Sequence, residues 1–223
     1  MNTSTPPLRI DIVSDVMCPW CIIGYRQLAA ALEAKGVAHE IHWQPFELNP
    51  EMAPEGQNLR EHIAEKYGAS AEESAQNRRQ LTDLGASLGF EFNFADDGRM
   101  HNTFNTHQLL HWAGTLGRMH EMKQALFGAH FTEGRDLSDD EILADIAADN
   151  GFDRAEALVV LQDQRFASDV RQAEKFWVDQ GVKGVPAMIF ERQHLVTGAQ
   201  GVENYASILD QLAALQSNGT AGE

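Results

Sequence analysis

The chain has two cysteines, three positions apart, in Cys18-Pro19-Trp20-Cys21. That excludes a disulfide framework, which takes more cysteines spread along the sequence. It leaves the chemistry of a C-x-x-C pair, in which one thiolate attacks a disulfide sulfur and the second thiol folds back to resolve the mixed disulfide. Cys18 is the expected attacker, exposed to substrate, and Cys21 the expected resolver. A helix starting here carries about half a positive charge and unpaired N–H groups at its N-terminus, so the Cys18 thiol is expected below its free value of about 8.5. Pro19 suits the first helical turn, where its missing N–H costs nothing. Trp20 offers an apolar surface beside the sulfur.

Three other readings compete. A zinc site normally needs four ligands, and there is no second C-x-x-C. Only His107 and His111, four apart on one expected helix face, would complete a Cys2His2 set. A Cys-Pro-Trp-Cys helix start favours redox chemistry over that site and over inert core cysteines, so no metal is expected. The third alternative is a binding module or holdase without turnover, since fold alone does not fix function.

The elements that must position the pair follow from the spacing of apolar residues. Leu8, Ile10 and Ile12 alternate with Arg9 and Asp11, which predicts a strand. Ile22, Ile23, Tyr25, Leu28 and Leu32 mark one helix face ending near Gly36, and Ile41 and Trp43 alternate before Pro45 as a second strand. The result is a strand–helix–strand unit whose helix begins at the cysteines. Near the other end, the apolar run Pro186 to Phe190 and the segment His194 to Thr197 flank Glu191-Arg192-Gln193, which predicts a hairpin. Gly198 and Gly201 break the chain before a final helix striped by Val202, Tyr205, Ile208, Leu209, Leu212 and Leu215. The small, polar tail from Gln216 to Glu223 is expected to fray.

The middle of the chain is almost wholly helical in pattern. Ser70 with Glu73, and Ser138 with Glu141, both fit a capping box. Leu81, Leu84 and Leu88 continue one helix to Gly89, and Phe166, Val170, Ala173 and Trp177 stripe another to Gly181. Phe90, Phe92 and Phe94 alternate as a short extended link. The organisation is a discontinuous α/β domain, residues 1–57 and 165–223, interrupted by a helical insertion over 58–164.

Composition sets outer bounds. The 223 residues are 43% hydrophobic, with 33 acidic against 17 basic side chains and a net charge of −16. Collagen-like, mucin-like and disordered classes are excluded. Such acidity repels phosphate backbones, so nucleic acid is not an expected partner. No apolar run approaches the roughly 20 residues that span a bilayer. Met1 to Leu8 lacks the features of a signal peptide. A cytoplasmic protein with no membrane partner is expected.

Asp11-Ile12-Val13-Ser14-Asp15 leading into Cys18-Pro19-Trp20-Cys21, the helical middle, Gly184-Val185-Pro186, and Gly198 to Gly201 together resemble the DsbA family, most closely its FrnE-like branch. The resemblance runs from about Leu8 to about Leu215. It implies a thioredoxin-like fold with a large inserted α-helical domain, and thiol–disulfide oxidoreductase activity on protein thiols or disulfides. It also implies a cis Val185–Pro186 bond against the cysteines, leaving the Val185 backbone free to pair with an extended substrate. Without the resemblance, Pro186 reads as an ordinary strand-start proline.

No bound cofactor is implied, with glutathione the one candidate thiol co-substrate, and a homodimer is left open. Related branches, the 2-hydroxychromene-2-carboxylate isomerases and kappa-class glutathione transferases, share the architecture and use the cleft between subdomains for glutathione and substrate. They usually carry serine where Cys18 stands, so the cysteine argues for redox chemistry over isomerisation or transfer. In that cleft, Asn102 and His107 are candidates to hydrogen-bond a ligand. The alternative is that they cap or solvate their helix.

Overall fold

A computed structural model describes residues 6–95 and 97–219. The chain runs through β1 (Leu8–Ser14), α1 (Pro19–Lys35), β2 (His39–Pro45), β3 (Gln57–Asn58), α2 (Leu59–Tyr67), α3 (Ala71–Ser87), β4 (Arg99–Met100) and α4 (Phe104–Thr115). It continues through α5 (Met119–Phe131), α6 (Asp140–Asp149), α7 (Arg154–Asp163), α8 (Ala167–Asp179), β5 (Ala187–Phe190), β6 (His194–Thr197) and α9 (Val202–Gly219). The fold is the expected thioredoxin-like α/β arrangement with intervening helices. Residues 1–5, where most of the leader reading falls, lie outside the described residues. So does the tail beyond Gly219, while Gln216 to Gly219 form the end of α9.

Four strands form one sheet in the order β2-β1-β5-β6. β1 pairs in parallel with β2, Ile10 opposite Ile41 and Ile12 opposite Trp43. On its other edge β1 pairs antiparallel with β5, Ile10 opposite Phe190 and Val13 opposite Ala187. As a central strand, β1 is covered on both faces, which explains why Asp11 and Val13 are as buried as Ile10 and Ile12. Ile10, Ile12, Met188 and Phe190 pack with Cys21 and Ile22 of α1 and with Tyr205 and Leu209 of α9. Val13, Ala187 and Ile189 pack the opposite way, against Trp177 of α8 and Val182. α1 ends where expected, with Gly36 in the left-handed region at φ 61° and its N–H returned to the last turn.

The insertion has a core of its own, built from α4, α5, α6 and α7. Val16 and Met17, from the turn just before Cys18, are buried in that core beside Met100, Leu109, Met122 and Leu126. The turn that delivers the cysteines is therefore plugged into the helical layer. Ser70 and Glu73 form the expected capping box at α3. At α6 the cap is Asp139, which accepts from the Glu141 and Ile142 amides, while Ser138 hydrogen-bonds Asp136 instead. Phe90 to Phe94 form no strand; their rings cluster with Phe131. The β3–β4 ribbon, Gln57 opposite Met100, had no signature in the sequence because two-residue strands carry no period.

Candidate active site

Cys18 is the N-cap of α1, in extended conformation at φ −92° and ψ 110°, and Pro19 occupies the first helical turn. Both cysteines are unpaired and buried. Cys21 is wholly enclosed and Cys18 is 5% exposed, so the expected exposed attacker is itself nearly enclosed. The Cys21 N–H donates to the Cys18 carbonyl at 3.0 Å.

The Val185–Pro186 bond is cis. The Cys18 thiol donates to the Val185 carbonyl at 3.7 Å, bringing together residues 167 positions apart. The approach depends on Gly24, one turn into α1. A Cβ there would sit 3.1 Å from the Pro186 ring and 3.2 Å from the Met188 methyl. The loop after β6 is fastened to the same helix, since the Gly201 amide donates to the Gln27 side chain at 2.8 Å. Trp20 is half-buried and packs against the core shared by α1 and the sheet.

Two further groups, neither assigned a role from the sequence, act on the pair electrostatically. Asp15 is buried and accepts from the Met17 amide at 3.2 Å and the Leu48 amide at 2.7 Å. Burial raises its carboxyl, against the pull of those amides and of Lys123. Lys123, on α5, is 1% exposed; its ammonium donates to the Ser14 carbonyl at 3.4 Å and lies over the rings of Trp43 and Phe127. Burial pushes it down to about 8, against Cys21, Asp15 and Cys18, which all favour its charge. A signal for Lys123 did exist, since it interrupts the buried stripe of Met122, Leu126 and Phe127.

The expected lowering of the Cys18 thiol does not hold in the dithiol. Its hydrogen bond with Cys21, burial, and the nearby charges of Cys21 and Asp15 push it well above the ordinary thiol range. The Cys21 backbone amide pulls the other way and is outweighed. The helix start is thus only one of several fields at this sulfur, and Lys123 is the full positive charge buried there.

Asn102 and His107 both hydrogen-bond within the protein. The Asn102 side chain accepts from the Phe104 amide at 2.9 Å and donates to the Pro50 carbonyl at 3.3 Å, at the start of α4. His107 is buried behind the site, with Nε2 donating to the Phe46 carbonyl at 3.1 Å and 3.9 Å from Asp15. Burial pushes its imidazole down to about 3, so it is neutral. Both residues support the loop that holds Asp15. His111 faces Asp169 and the Phe166 ring, and no cluster of three or more potential metal ligands occurs among the described residues.

The family model for the DSBA-like thioredoxin domain matches residues 9–210. The fold superimposes on a probable DsbA oxidoreductase from Streptomyces coelicolor with a TM-score of 0.85 and 32% identity, covering 92% of this chain and 89% of that one. Protein YwbO of Bacillus subtilis is 26% identical over 87% of this chain and 92% of its own. A cytosolic disulfide reductase, DsbM of Pseudomonas aeruginosa, solved with glutathione, shares the fold at a TM-score of 0.61 and 17% identity, covering 93% of this chain and all of that one, 100%. No helix among the described residues is long and apolar enough to cross a membrane.

Proposed function

The chain belongs to the DsbA-like thioredoxin domain family, and on that premise we propose that it is a thiol–disulfide oxidoreductase working through the Cys18–Cys21 pair. The observation that carries this is the juxtaposition of the Cys18 sulfur, at the start of α1, with the Val185 carbonyl, above a fully buried Cys21. Cys18, as thiolate, attacks a substrate disulfide and expels one substrate thiolate. Cys21 then attacks the Cys18 sulfur, expels the second, and leaves the protein disulfide. Pro19, Trp20 and the Val185–Pro186 backbone position the substrate. The buried Lys123 ammonium offsets the negative charge of whichever sulfur is ionised. Residues 1–57 and 165–223 are the redox unit in this reading, and residues 58–164 shape what reaches it.

The cycle needs no bound cofactor. The likeness to a cytosolic reductase seen with glutathione makes a small thiol the first co-substrate to test and a reducing, cytoplasmic setting the working assumption. The test is a trap. In Cys21→Ser, Cys18 attacks but is not resolved, so mass spectrometry should find a reducible adduct that Cys18→Ser lacks. A protein adduct identifies protein disulfides as substrates, and a glutathione adduct alone identifies small thiols. Absence of any adduct overturns the reading.

A further inference from the structure

A cavity of about 320 Å³ opens beside the cysteines, with Met17 and Pro19, the neighbours of Cys18 in the chain, both in its wall. The rest of the wall comes from the insertion. Leu81, Phe94 and Phe131 make it apolar, and Arg78, Arg99 and Arg135 reach it from three different segments. Three arginines facing two acids, Asp97 and Asp136, are out of keeping with a chain of 33 acidic and 17 basic residues.

The arginines differ in what already holds them. Arg135 is ion-paired to Asp149, and Asp136 is held by His101 and Ser138. Arg99 donates to the backbone carbonyls of Glu55 and Gly56, and Arg78 to the Ser74 hydroxyl. The Arg99 charge acts on the Asp136 carboxylate, whereas Arg78 has no carboxylate partner among the described residues. Burial pushes the cavity's His101 down, and His130 down to about 4, so both imidazoles are uncharged near neutral pH. The volume lies at the small end of the roughly 300–1,000 Å³ range of ligand pockets, enough for a ring or short chain.

We propose that this cavity binds the organic part of a small amphipathic disulfide, an apolar group ending in a carboxylate that pairs with Arg78. The proposal rests on the dithiol reading of Cys18 and Cys21 and names the substrate class for that site. The Cys18 thiolate attacks one sulfur of R–S–S–R, forming Cys18–S–S–R and releasing R–S⁻, with R seated in the cavity. The Cys21 thiolate then attacks the Cys18 sulfur and releases the second R–S⁻. The protein dithiol is oxidised to the disulfide, the substrate is reduced to two thiols, and the two thiol protons pass to the products or solvent.

The test uses the full chain, fully reduced, in single-turnover mixing, so that no added reductant is needed. Three disulfides are compared: dithiobis(nitrobenzoate), aromatic with a carboxylate on each ring; dithiodipyridine, aromatic and uncharged; and hydroxyethyl disulfide, small and uncharged. Arg78→Gln should lower the ratio of the nitrobenzoate rate to the dipyridine rate roughly tenfold, the size of one charge-assisted hydrogen bond. Asn77 is an exposed α3 residue on the cavity wall, and Asn77→Trp should lower the ratio of dipyridine to hydroxyethyl disulfide rates by a similar factor. If the wild type consumes hydroxyethyl disulfide but neither ratio moves, the cavity proposal is overturned and the dithiol reading survives. If the reduced wild type consumes none of the three, both fall together.

Discussion

Lys123 is a costly neighbour for a pair of thiols, because an ammonium with 1% exposure forgoes nearly all of its hydration. Its charge survives in part because Cys21, Asp15 and Cys18 stand around it. The sulfurs receive the reciprocal benefit, so removing the ammonium should make their ionisation harder. In the wild type, the hydrogen bond with Cys21 and burial push Cys18 above the ordinary thiol range, so little ultraviolet thiolate absorbance should develop within that range. Lys123→Met should lower the thiolate fraction at pH 7, where the wild-type ammonium still holds its proton, by up to about tenfold, with the two proteins converging as pH rises past about 8. A titration superimposable on the wild type would remove Lys123 from the chemistry. Far-ultraviolet circular dichroism is the folding control, since the substitution itself changes the surroundings of the Trp43 ring.

At the scale of elements, two contacts hold the site to its supports. The first is the passage of the Pro186 loop across α1 at Gly24. Gly24→Leu should displace Pro186 and Met188 and cut disulfide exchange by about tenfold or more, a cost of roughly 1–3 kcal/mol typical of overpacking. Gly24→Ala should be milder, since about 1 kcal/mol of helix propensity offsets its tight contacts. A rate for Gly24→Leu equal to the wild type would show that the approach is not needed. The second contact joins the loop after β2 to α8. Glu47 is ion-paired to Arg171 and pushed up to about 7, first by burial and then by Glu174. An unfolded glutamate ionises near 4.3, so the native state binds this proton more tightly. The stability it contributes is full below that value and is lost as pH rises through about 7. Glu47→Gln, which imitates the protonated form, should therefore melt a few degrees higher than the wild type near pH 8, with the gap closing near pH 5. An equal gap at both values would refute the assignment. Much of this layer was readable beforehand. Both terminal strand sets, the helix at the cysteines and the hairpin carry periods of two or 3.6 over several turns or residues. Gly24, Glu47 and Lys123 were not readable as partners, because each is defined by a segment far away in sequence. Asn102 and His107 were legible as polar residues at and on an apolar helix, but their backbone partners Pro50 and Phe46 were not.

Across the whole molecule, the field and the cavity pull in opposite directions. A dianionic disulfide approaches a chain of net charge −16, and salt at about 0.15 M shortens the reach of that repulsion to roughly 8 Å. Raising ionic strength from a low value should therefore speed the reaction with dithiobis(nitrobenzoate) severalfold and leave hydroxyethyl disulfide unmoved. A rate that falls with salt would mean that local cations, not the global charge, govern encounter. The sheet order carries a different consequence. β1 lies between β2, its near neighbour in sequence, and β5, which comes only after every helix of the insertion. On a ribosome, the cysteines emerge before the insertion, but the strand and carbonyl that complete their surroundings follow it. The insertion's helices, rich in local contacts, have time to form while β1 still lacks its second partner. A nascent chain halted before residue 185 thus holds both thiols without the carbonyl that faces them, and the nucleophile waits for a partner made 167 positions later.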